Sequence, residues 1–133
     1  MIQRIQTLYL LVSALFIGLL FALPFAEIAK DGAIKENGLA VSVLIGIVLV
    51  LQGVAIFSFK KRPRQIRIVM IAILATLCLL GAFLYVTYFS FSGAQISFKI
   101  GMVFPLIAII LDYLAIRAIR KDEALIRSID RIR

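Results

Sequence analysis

Apolar positions run along this chain in four long stretches, residues 5–23, 39–59, 66–89 and 100–116, each bounded by charged or turn-forming residues. A helix rising about 1.5 Å per residue needs about 20 residues to cross a hydrocarbon core about 30 Å thick, and each stretch approaches or exceeds that length. The fourth reaches 119 if Arg117 snorkels to the headgroups from the last turn. The pattern predicts an all-α membrane protein: one integral domain over 1–133, a bundle of four transmembrane helices (about 5–23, 39–59, 66–89 and 100–119) and a tail over 120–133. The first stretch is expected to be a retained helix and not a signal peptide. Its apolar run exceeds the roughly 7–15 residues of such a segment, and Pro24 follows without an Ala-x-Ala site.

Period-two alternation appears only in two connections. Residues 27–36 read as two short extended runs about Asp31-Gly32, a dipeptide suited to a two-residue hairpin turn. Residues 89–92 and 96–99 alternate around Gly93. A small β cap and a pair of irregular loops both fit this pattern, since isolated hairpins are marginal in water.

Composition agrees with lipid as the solvent. Of 133 residues, 63% are hydrophobic and 17% charged, against roughly 45–50% and 25% in soluble domains, and mean hydropathy is +1.10. The net charge is +8, and its distribution sets an orientation. Twelve cations fall on one side: Arg4, Lys60, Lys61, Arg62, Arg64, Arg67, Arg117, Arg120, Lys121, Arg127, Arg131 and Arg133. Three, Lys30, Lys35 and Lys99, fall on the other. The positive-inside rule puts both termini and the middle connection in the cytoplasm, and the two short connections outside.

Helices in lipid associate through close backbone approach, so stripes of small residues are expected to face the interior. Thr7, Ala14, Gly18 and Ala22 form such a stripe on the first helix, and Ser42, Gly46 and Gly53 on the second. Gly101, Pro105, Ala108, Asp112 and Ala115 form one on the fourth. Asp112 is the one acid well inside an apolar stretch. Two readings stand for it: an ion pair or hydrogen bond with Arg64, Arg67 or Arg4, or a proton or cation site. Gln52 and Thr76 lie at comparable depth and are expected to hydrogen-bond between the second and third helices. Cys78 is expected to be a small buried residue, and Tyr85, Tyr88, Phe89 and Phe91 to form an aromatic belt.

The absence of histidine and the single cysteine exclude Ser-His and Cys-His pairs, disulfides within the chain and thiolate cages. No nucleotide-binding or acyl-transfer motif is present. Catalytic residues, cofactors and metal are therefore expected to be none. Lys60, Lys61, Arg62, Arg120, Arg127 and Arg131 are expected to meet anionic lipid headgroups or a partner, not nucleic acid. Pro63 is expected to stop the second helix. In the tail, Ala118, Ile119, Leu125, Ile126, Ile129 and Ile132 share one helical arc, interrupted by Asp122 and Arg133, with Arg117, Arg120, Arg127 and Arg131 nearly opposite. The fourth helix is thus predicted to continue, straight or bent, into a cationic amphipathic helix with a Glu123–Arg127 pair one turn apart.

The opening Met1-Ile2-Gln3-Arg4-Ile5-Gln6-Thr7 and the closing residues 119–133, Ile-Arg-Lys-Asp-Glu-Ala-Leu-Ile-Arg-Ser-Ile-Asp-Arg-Ile-Arg, resemble the two ends of a bacterial family of four-helix membrane proteins catalogued as domain of unknown function 4293. The resemblance implies an inner-membrane protein and carries over no catalytic residue. Two functions remain open on the sequence: a non-enzymatic accessory or assembly protein, meeting a membrane-protein partner or a second copy, and a small oligomeric transporter or channel using Asp112.

Overall fold

A computed structural model of the chain describes residues 2–23, 26–30, 33–35, 39–85, 88–89, 95–98 and 100–132. Its four helices are α1 (Ile2–Leu19), α2 (Leu39–Phe57), α3 (Arg62–Tyr85) and α4 (Val103–Ile132), the last entered through a 3-10 turn at Ile100–Met102. Three are long and apolar enough to cross a membrane: Leu39–Phe57, Arg62–Tyr85 and the continuous Ile100–Ile132. The first is shorter than expected. After Leu19 the chain tightens into turns, with Leu20 N–H donating to Ile17 O at 3.1 Å and Phe21 N–H to Gly18 O at 3.1 Å. Within these turns Leu23 N–H still reaches Leu19 O at 2.8 Å, so the apolar run outlasts the regular helix.

The α2–α3 connection corrects the expected boundaries. Helix α2 ends where the Ser58 hydroxyl folds back onto Val54 O at 2.7 Å, and α3 begins at Arg62, not at 66. Lys61 O accepts the first helical bonds, from Arg64 N–H and Gln65 N–H at 3.0 Å each. Pro63 sits in that first turn, where a missing N–H costs nothing, so it starts α3 instead of stopping α2. At its other end α3 runs to Tyr85; residues 86–87 lie outside the described residues, and 88–89 are again helical, with π geometry. The Phe89 ring contacts those of Tyr85 and Tyr88 there, all three exposed. Phe91 lies outside the described residues.

Strands β1 (Ala26–Lys30), β2 (Ala33–Lys35) and β3 (Gln95–Phe98) form an antiparallel sheet in the order β2-β1-β3. Lys30 opposes Ala33, leaving two residues to turn the hairpin; the Asp31-Gly32 dipeptide itself lies outside the described residues. On the other edge Ala26 opposes Phe98 and Ala29 opposes Gln95, so the two connections that the sequence pattern treats separately are joined in one sheet.

The helices contact in a ring, α1 on α2, α2 on α3, α3 on α4 and α4 on α1, the last pair most extensively. Side chains from all four build two apolar layers. Nearer the sheet lie Ile17, Leu20, Val41, Ile45, Val48, Leu79, Phe83 and Ala108. Nearer the opposite end lie Leu10, Ala55, Val69, Ala115 and Ile116. The outer surface is apolar too: Leu8, Leu15, Val50, Leu74 and Ile110 are all exposed, an inverted arrangement for a protein in water and the expected one for a protein in lipid.

The predicted small-residue face holds for one helix and fails for two. On α4, Gly101, Pro105, Ala108, Asp112 and Ala115 are all buried. On α1 the buried side chains are Gln6, Leu10, Ser13 and Ile17, with Leu20 in the turn that follows, and on α2 they are Val41, Ile45, Val48, Gln52 and Ala55. Gly18, Gly46 and Gly53 lie on the flanks, where an added Cβ would meet nothing within 4 Å. Cys78, expected to be buried, is exposed on the outer face of α3.

Candidate functional site: a buried polar layer and a basic end

Between the two apolar layers each helix brings one polar side chain inward. On α1, Ser13 stands between Leu10 and Ile17; on α2, Gln52 between Val48 and Ala55; on α3, Thr76 between Val69 and Leu79; on α4, Asp112 between Ala108 and Ala115. All four are fully buried. A polar atom taken out of water costs free energy unless it is hydrogen-bonded, and this layer meets most of that demand internally. Gln52 Nε2 donates to Ser13 Oγ at 2.7 Å and to Asp112 Oδ2 at 3.3 Å. The Ser13 hydroxyl in turn donates to Ala108 O at 3.3 Å. Three helices are thereby tied through one carboxamide. Gln52 Oε1 and Asp112 Oδ1 are buried and have no hydrogen-bond partner.

Of the expected interior residues, Gln52 and Asp112 meet and the others do not. Thr76 donates to Ala72 O on its own helix at 2.8 Å, not across to α2, because a threonine hydroxyl reaches the carbonyl one turn back without moving a neighbouring helix. Arg4, Arg64 and Arg67 are exposed at the helix ends, and among the described residues no arginine pairs with Asp112. Ser13 was not among the expected residues. Nor were Gln65, whose Nε2 donates to Ala55 O at 3.0 Å, and Gln6, whose buried Nε2 has no partner.

At the end away from the sheet the chemistry changes from amide to guanidinium. Asp122, also unforeseen, is nearly buried on the inner face of α4 and pairs with Arg62 NH2 at 2.9 Å, which pins the start of α3 to the tail. Arg62, one of the cations expected to meet headgroups or a partner, is thus engaged within the chain and keeps 21% of its side chain exposed. Arg127 bonds Glu123 at 2.9 Å, the expected pair one turn apart, and its side chain stays 74% exposed. Lys60, Lys61, Arg64, Arg67, Arg120 and Arg131 are exposed. Around them lie two adjoining open grooves of about 900 and 1000 Å³ between the α2–α3 connection and the tail, sharing Pro63, Arg67, Glu123 and Arg127. The tail is an unbroken continuation of α4, and its apolar Leu125, Ile126, Ile129 and Ile132 are exposed. No group of three or more acidic or cysteine side chains suited to a metal occurs among the described residues.

A family model described as a domain of unknown function, DUF4293, matches residues 2–132, nearly the whole chain. No curated protein and no solved structure matches it.

Proposed function

The chain belongs to the DUF4293 family, and from that premise we propose that it is a non-enzymatic, multi-pass protein of the bacterial inner membrane, an accessory or assembly subunit built as a four-helix bundle. Both termini and the α2–α3 connection face the cytoplasm and the sheet lies outside, the orientation that keeps twelve cations within and three without. The observation that carries the reading is the basic end. Exposed Lys60, Lys61, Arg64, Arg67, Arg120 and Arg131 suit anionic headgroups, at about 1 kcal/mol for each cation near the surface. The exposed apolar face of the tail suits a membrane-protein partner or a second copy of the chain. Cofactor, metal and nucleic acid have no part in this reading. Transport has less support, because the Asp112 layer is closed on both sides by apolar layers within one chain, whereas coupling sites need a route to water.

Reporter fusions at residue 62 and residue 95 test the orientation, with cytoplasmic signal expected only at 62; the reverse overturns it. The docking role is tested by the double variant Ile126→Asp, Ile129→Asp. Protein extracted from native membranes in mild detergent should lose its larger complex, with the melting temperature of the helical core unchanged. An unaltered monomer before and after would leave the tail without a docking role.

A further inference from the structure

The two partnerless atoms in the buried layer are both acceptors, and they sit on the two side chains already joined by a hydrogen bond. Gln52 gives its amide N–H to Asp112 Oδ2, while Gln52 Oε1 and Asp112 Oδ1 have no donor. Gln52 Nε2 gives its N–H groups to Ser13 Oγ and to the carboxylate, while Ser13 Oγ lies 3.3 Å from Ala108 O and within hydrogen-bonding reach of Asp112 as well, so its one hydroxyl proton is shared between two acceptors. What is missing is one donor, and one positive charge to offset a carboxylate held between apolar layers.

We propose that Asp112 and Gln52 form a proton-binding site in which the carboxyl carries one proton on Oδ1 and donates it to Gln52 Oε1. Together with the amide bond to Oδ2 this closes a cyclic acid–amide pair. The proton is taken from hydronium while the carboxyl still meets water as the bundle assembles, one O–H bond breaking there and one forming on Oδ1, so the closed layer is electrically neutral and both orphan acceptors are satisfied at once. A single proton balances the charge of the single carboxylate.

The helices around Asp112 bring no competing charge. Helix α1 offers Ser13, its only charge is Arg4 at the exposed end, and its Tyr9 packs on the lower apolar layer. Helix α2 has no charged residue. On α3 the charges are Arg62, Arg64 and Arg67 in the first two turns, and Cys78 is exposed. On α4 itself Tyr113, Arg117 and Arg120 are exposed.

Infrared spectroscopy of the reconstituted protein tests the site. At neutral pH we expect the carbonyl stretch of a protonated carboxyl, lost in Asp112→Asn and moved to higher frequency in Gln52→Leu, where the amide donor to that carbonyl is gone. Asp112→Asn should keep the melting temperature of the parent, since an amide–amide pair has the same two hydrogen bonds and no charge. Aspartate bands that are all ionised at neutral pH overturn the proposal. So does a sodium-dependent rise in melting temperature that Asp112→Asn abolishes, because an alkali ion would then occupy the place of the proton.

Discussion

Helix α4 carries two inward aspartates ten residues apart, and the chain treats them differently. Asp122, near the end of the packed region, has an arginine at 2.9 Å, whereas Asp112, between the apolar layers, has a carboxamide at 3.3 Å. Depth explains the choice. A guanidinium can be held near the edge, where part of it stays outside the packed interior, and the Arg62 side chain keeps 21% of its surface exposed. In the middle of the helices an arginine would add a buried charge whose desolvation rivals what a pair would return. An amide supplies the hydrogen bond without the charge.

The difference can be broken experimentally. Gln52→Leu removes the donor shared by Ser13 and Asp112 and leaves buried acceptors bare, and should cost about 2–3 kcal/mol in a detergent unfolding titration. Arg62→Ala at the edge should cost about 1–2 kcal/mol, between the values for exposed and buried pairs. That loss should shrink in high salt, which screens charges near the surface, while the cost of Gln52→Leu should not change. Equal costs with equal salt sensitivity would erase the distinction between the two aspartates.

The sequence made the number and order of the helices plain, because four apolar runs of spanning length admit few other readings. It also made the inner face of α4 plain, since Asp112 had to turn inward and carried Ala108 and Ala115 with it. The inner faces of α1 and α2 were not legible by the rule of small residues. In a helix apolar all round, periodicity no longer separates inside from outside, and glycines sit as easily on a flank. The polar residues were the better guide. Among the described residues the seven buried polar or charged side chains, Gln6, Ser13, Gln52, Gln65, Thr76, Asp112 and Asp122, come from within the helices. Gln6 and Ser13, two turns apart, mark the inner face of α1 by themselves, and Gln65 and Thr76, three turns apart, mark that of α3. The partners of Asp112 could not be read from spacing, because they depend on how far each helix slides along its neighbour.

The sheet has a consequence for how the chain is made. Ala26 and Phe98 pair although they stand 72 positions apart, and β1 is synthesised well before β3 exists. From the moment it leaves the ribosome until α2 and α3 have both been laid down, β1 has only β2 to pair with, so its second edge stays open while most of the core is being assembled. Closure of that edge is among the last long-range contacts available to the chain. It then fastens the exit of α1 to the entrance of α4, the two helices with the most extensive contact.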